Sequence, residues 1–87
     1  MTNPTYIILN LCRVLAYKNE GLILSKKEGG NWGIGHVPEL YHGLIRQALD
    51  EYSSGRRMEW SEKGMRDYAA YMIAQIGKQE WKSMPGL

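Results

Sequence analysis

Tyr6-Ile7-Ile8-Leu9-Asn10-Leu11-Cys12-Arg13-Val14-Leu15-Ala16-Tyr17 decides the fold. Its polar or hydroxyl-bearing positions, with Asn3 ahead of them, are Asn3, Tyr6, Asn10, Arg13 and Tyr17. They step by three, four, three and four residues. An α-helix brings such positions onto one side. The residues between them (Ile7, Ile8, Leu9, Leu11, Cys12, Val14, Leu15 and Ala16) point elsewhere. The spacing therefore predicts a helix buried around most of its circumference, with one narrow hydrogen-bonding stripe. A guanidinium in such a stripe needs an anion or several acceptors nearby, because an unpaired buried charge is costly. Three partners fit Arg13: solvent over the outer face of an amphipathic helix, an acid of this chain in an internal salt bridge, or the phosphate or carboxylate of a ligand.

The chain has 87 residues, which is one domain, expected to span 1–87. Hydrophobic residues make up 44 %, enough for a globular core. A net charge of +2 does not call for nucleic acid or an anionic membrane as partner. Cys12 is the one cysteine, so no disulfide can close within the chain and no thiolate zinc site can be built. It reads as a small buried hydrophobe in a reducing, cytoplasmic protein. Asn10 and Arg13 interrupt the first apolar run, which argues against a signal peptide or a membrane span.

Working outward, the pattern predicts an all-α fold: a compact bundle of about four helices, mainly antiparallel. The first helix runs from about Asn3 to Lys18, with Gly21 taking the left-handed position at its end. Leu22-Ile23-Leu24 is an extended connector with apolar anchors. Ser25-Lys26-Lys27-Glu28 has the spacing of a capping box opening the second helix. Gly29, Gly30, Gly33 and Gly35 weaken that helix, and their clustering around Trp32 predicts close backbone packing. They do not follow a strand in a Gly-x-Gly-x-x-Gly pattern, which excludes a dinucleotide fingerprint.

Pro38 suits the first turn of a third helix. Leu40, Leu44, Ile45, Ala48, Leu49 and Tyr52 form its predicted core stripe. His42, Arg46, Gln47, Asp50 and Glu51 form its predicted solvated face. Arg56 to Trp60 connects to a fourth helix, capped by Ser61 and running to about Lys82, with Met65, Tyr68, Ala69, Met72, Ile73 and Ile76 as its stripe. Pro85-Gly86 is expected to end the chain's structure.

Lys26 and Lys27 fall in the first turn of the second helix, where the dipole disfavours cations. Free N–H groups, a capping hydroxyl and two ammonium groups make a candidate anion cradle, or two solvated lysines. A tight hairpin between the first two helices would bring Arg13 and Lys26 to one end of the bundle. A planar fork beside a point charge is what a nucleotide polyphosphate needs.

Arg13 within Leu9-Asn10-Leu11-Cys12-Arg13, Lys26 thirteen positions later, Trp32 six further on, Val37-Pro38-Glu39-Leu40-Tyr41, and Ala48 with Tyr52 form a series. In order and spacing it resembles the C-terminal helical domain of the aminoglycoside (streptomycin/spectinomycin) adenylyltransferases. The resemblance covers about Tyr6 to Tyr52. It implies a helical domain facing a nucleotidyltransferase catalytic domain, in cis or in trans, with ATP and the acceptor bound between them. It implies that Arg13 and Lys26 contact the ATP phosphates, that Tyr6 and Asn10 line the same cleft, and that Trp32 packs. It further implies Mg²⁺ only together with the catalytic domain, an aminoglycoside or other small-molecule acceptor, and a place in antibiotic resistance. The chain departs from the family in having Ser25-Lys26-Lys27 where Pro-Lys-Asp is usual, and no acid before Glu20 where the family grips its cationic drug.

Catalysis by this chain alone is not expected. The resemblance implies two-metal nucleotidyl transfer, with Mg²⁺ held by acidic side chains on a sheet after a Gly-Ser turn; this chain has no acids two positions apart, and its adjacent pair Asp50-Glu51 diverges on a helix. His36 and His42 are too separated for a metal site and suit surface or capping roles. Arg56-Arg57 with Trp60 is a weak single-strand nucleic-acid signal. The alternative to the nucleotide reading is a helical interaction or homodimerisation module with no ligand.

Overall fold

In the computed structural model, residues 3–56 and 59–82 are described, with side chains as far as residue 78. Arg57, Met58 and the expected Pro85-Gly86 end lie outside the described residues. The elements are α1 (Pro4–Glu20), α2 (Lys26–His36), a 3-10 turn (Glu39–Tyr41), α3 (His42–Ser54) and α4 (Glu62–Lys82). The described residues contain no strand, and the protein is an all-α bundle.

Asn3, expected in the polar stripe, is the N-cap of α1. Its Oδ1 accepts the Thr5 N–H at 2.9 Å, and Pro4 opens the helix. Gly21 closes the helix at φ 69°, a left-handed conformation that glycine adopts without a Cβ penalty, and its N–H donates to the Tyr17 carbonyl at 2.8 Å. Ile8, Leu9, Cys12, Leu15 and Ala16 are buried as the spacing predicts. Val14 is the departure, since it borders an open groove and stays 42 % exposed.

The route from α1 to α2 is not a tight hairpin. Leu22 to Leu24 are extended and line a groove with Asn10, Arg13, Val14 and Tyr17, so the connector doubles back along α1. Here α2 restarts beside the middle of α1. Lys26 lies over Tyr6, Gly30 against Leu9, Gly33 against Cys12, and Trp32 reaches Glu20. With Gly29 against Arg13 as well, the glycines of α2 cross α1 obliquely over Leu9, Cys12 and Arg13. The third helix runs antiparallel to both: Ile45 meets Gly33, Leu49 meets Gly30, and Tyr52 meets Tyr6.

The glycines of α2 explain how the helices approach so closely. A Cβ at Gly30 would stand 2.5 Å from Leu49 Cδ2 and 2.9 Å from Leu9 Cδ2, and one at Gly33 would stand 2.5 Å from Cys12 Sγ. The capping box is complete, with Ser25 Oγ accepting from Glu28 N–H at 3.1 Å and Glu28 Oε1 accepting from Ser25 N–H at 2.9 Å.

Pro38 starts the 3-10 turn rather than α3, which begins at His42. The residue before it, Val37, is buried, and the half-buried His42 ring N–H donates to the Val37 carbonyl at 2.8 Å, tightening this corner. The tight turn throws Leu40 outward, so it is 78 % exposed instead of in the core. The predicted polar face of α3 is only partly solvated. Arg46 and Asp50 are exposed, while Gln47 donates to the Glu59 carbonyl at 3.0 Å and Glu51 accepts from Thr5 Oγ1 at 2.5 Å. These groups face neighbouring segments of the chain, which a helical wheel of α3 alone does not contain.

In α4 the Ser61 cap is present, its Oγ accepting the Gly64 N–H at 3.0 Å. Tyr68 and Met72 are buried, but Ile73 is 62 % exposed. Tyr71 takes the inward role beside Tyr41, with ring centroids 5.2 Å apart. The Tyr68 hydroxyl donates to the Ile8 carbonyl at 2.9 Å and accepts from the Cys12 thiol at 3.1 Å, tying α4 to α1.

Candidate functional site

Tyr6, Asn10 and Arg13 occupy successive turns of one side of α1, over an axial distance of about 10 Å. Arg13 is half-buried. Its stem passes Gly29, where an added Cβ would stand 2.5 Å from Arg13 Cγ. Arg13 Nε donates to the Leu24 carbonyl at 2.7 Å, and Nη1 donates to Asn10 Oδ1 at 3.0 Å. Both acceptors are neutral. Among the described residues Lys63 pairs with Asp67 and Arg66 with Glu62, the His36 ring lies 3.4 Å from Glu20, and none of these contacts involves Arg13. Of the three partners open to it in the sequence, the internal salt bridge is absent among these residues.

Lys26 opens α2, and its Nζ stands 5.3 Å from the Tyr6 ring centroid. The negative ring face offsets the unfavourable dipole at this helix end. Tyr6 in turn meets Tyr52 edge-on, at 6.2 Å and 72°. Tyr52, placed in the core stripe by spacing, is 44 % exposed beside the 46 % exposed Tyr6. The face thus gathers Lys26, Tyr6, Asn10 and Arg13, and adds Tyr52. The available signal for Tyr52 was the tyrosine's amphipathic character, an apolar ring with a hydroxyl that suits the edge of a core stripe.

The helix N-terminus itself is less open than the sequence suggested. The Ser25 hydroxyl and the Glu28 N–H satisfy each other, and the Glu28 carboxylate occupies the positive end. Hydrogen bonding to Ser25 holds the Glu28 carboxyl below its ordinary range. The positively charged side chains on this face are Arg13 and Lys26.

Beyond Arg13 lies an apolar groove of about 270 Å³ lined by Val14, Tyr17, Leu22, Ile23 and Leu24, with Asn10 and Arg13 at its rim. Ile23 is 87 % exposed there, so the connector's apolar residues do not all anchor it. Trp32 is elsewhere. It packs against the core, its indole stacks on His36 at 4.0 Å, and Nε1 donates to Glu20 Oε1 at 3.2 Å. His36 Nδ1–H donates to the Trp32 carbonyl at 2.7 Å. Both histidines thus make local capping bonds. Burial pushes the Cys12 thiol up, with the Tyr68 hydrogen bond opposing in part, so it is an inert core group. The described residues hold no cluster of three or more His, Cys, Asp or Glu side chains that could bind a metal. No described helix is long and apolar enough to cross a membrane.

Fold and face together define a small all-α domain that presents two cations and two tyrosines on one side and carries no metal centre among its described residues. The family of aminoglycoside adenylyltransferase C-terminal domains matches residues 1–75, and the chain belongs to that family. No curated protein and no solved structure matches it.

Proposed function

We propose that this chain is the helical, nucleotide-clamping half of an adenylyltransferase-like protein, acting with a nucleotidyltransferase catalytic domain in cis or in trans. Arg13 and Lys26 neutralise the polyphosphate of ATP, and Tyr6, Asn10 and Tyr52 line the same cleft. The observation that carries this reading is the half-buried Arg13, whose guanidinium donates to a carbonyl and an amide, on the face that also holds Lys26. A planar fork with free N–H edges and an uncancelled charge suits phosphate oxygens. Lys26, on a flexible stem, adds a point charge.

Mg²⁺ would be held by acidic groups of the catalytic domain, where it would supply charge neutralisation on the phosphates. This chain's contribution is binding and orientation. The acceptor is an aminoglycoside or another small molecule. The early stretch, Asn3 to Lys18, carries no acid of its own, so an acceptor other than an aminoglycoside is possible.

The test is reconstitution with a catalytic domain of this family. Nucleotidyl transfer should appear on mixing and fall by about 10²-fold or more in the Arg13→Ala, Lys26→Ala double variant. Activity unchanged in that variant refutes the phosphate assignment. The ligand-free interaction-module reading draws on the exposed Val14, Tyr17 and Ile23 around the groove. It requires a stable dimer in sedimentation that Ile23→Lys dissociates.

A further inference from the structure

We propose that Asn10 is a positioning residue for Arg13, and that its being an amide leaves the guanidinium charge free for an incoming anion. The inference rests on the anion reading of Arg13 above. The Arg13 stem is confined where it crosses α2 at Gly29. Beyond the stem, the guanidinium is held at two of its nitrogens, Nε by the Leu24 carbonyl and Nη1 by Asn10 Oδ1. Two fixed acceptors on a rigid planar group set both its place and its plane. Arginine has five N–H donors, so donors remain after these two bonds.

Asn10 lies one turn before Arg13 and is exposed. An aspartate of the same shape could accept the same bond at this spacing. It would also form a charge-assisted pair and cancel the local positive charge. The amide therefore separates two effects that an acid would combine: it orients the guanidinium without neutralising it. The Leu24 carbonyl does the same from the connector side, so both restraints on Arg13 are uncharged. This gives Asn10 a role distinct from lining the cleft. It acts on the ligand through Arg13, and the identity of one side-chain atom, nitrogen against oxygen, decides whether the site attracts anions.

The experiment uses the ¹⁵N-labelled 87-residue chain. The Arg13 Nε–Hε resonance is assigned by its loss in Arg13→Lys. Two quantities are read: exchange of Hε with water, and the affinity for inorganic tripolyphosphate at low salt. Asn10→Ala should speed Hε exchange severalfold and weaken tripolyphosphate binding, while Asn10→Gln, which keeps an amide acceptor, should recover part of both. Asn10→Asp should keep Hε exchange slow and the thermal midpoint unchanged or higher, yet weaken tripolyphosphate binding by about tenfold or more. A merely structural asparagine would not separate stability from binding in this way. Hε exchange unchanged in Asn10→Ala overturns the positioning role. Wild-type affinity in Asn10→Asp overturns the charge argument. A wild-type chain indifferent to tripolyphosphate refutes the anion reading itself and the charge argument with it, whereas the exchange rates judge the positioning role independently.

Discussion

Replacing Tyr68 by Phe removes one oxygen from the centre of the bundle and nothing else. The ring is 1 % exposed and packs against Tyr41 at 5.7 Å, so the shape of the core is retained. Two hydrogen bonds are lost, the donation to Ile8 O at 2.9 Å and the acceptance from Cys12 Sγ at 3.1 Å. The Ile8 carbonyl keeps its intrahelical bond from the backbone N–H four residues on. Cys12 loses its acceptor, but a thiol is a weak donor. No strongly polar group is orphaned, so the cost is that of one neutral buried bond and part of a second, about 1–1.5 kcal/mol. For a domain of this size each kcal/mol lowers Tm by about 4–8 °C. Thermal melts followed by far-UV circular dichroism should therefore show a drop of about 5–10 °C. In a double-mutant cycle with Cys12→Ala, the coupling should be small, about 0.5 kcal/mol, because the sulfur bond is the weaker of the two. A Tyr68→Phe midpoint equal to or above wild type refutes the claim that this hydroxyl ties α4 to α1.

Three further outcomes follow from the packing and the caps. Gly33→Val must displace Cys12 Sγ and Ile45 Cδ1 and should destabilise by about 2 kcal/mol or more in urea titrations, whereas Gly77→Ala, which meets nothing within 4 Å, should stabilise by about 0.5–1 kcal/mol. Ser25→Ala removes half of the capping box and should lower stability by about 1 kcal/mol by the same assay. Burial holds the Cys12 thiol protonated in the fold above its ordinary 9.0, while the unfolded chain ionises there. The unfolded state then binds fewer protons, so stability is fully present below pH 9 and declines as pH rises beyond it. Urea midpoints between pH 8 and 10 should show a decline that Cys12→Ala reduces.

The sequence by itself determined the helices and most of their ends. Local chemistry is sufficient there: the apolar spacing of Tyr6 to Tyr17, the Ser25–Glu28 box, the Ser61 cap, and Gly21 in its left-handed conformation are properties of short segments. The family was also legible: the resemblance drawn from Arg13, Lys26 and Trp32 points to the family whose C-terminal domain matches residues 1–75. Tertiary structure decided where α2 lies against α1. The extended return of Leu22–Leu24 along α1 places Lys26 over Tyr6 and the Leu24 carbonyl against Arg13, and no periodicity encodes the direction in which a connector folds. It decided that Tyr52 shares the open face, that Leu40 and Ile73 face outward, and that Gln47 and Glu51 find partners. A helical pattern records which residues share a side, but burial depends on which neighbour covers that side, and that is set by contacts between residues distant in the chain.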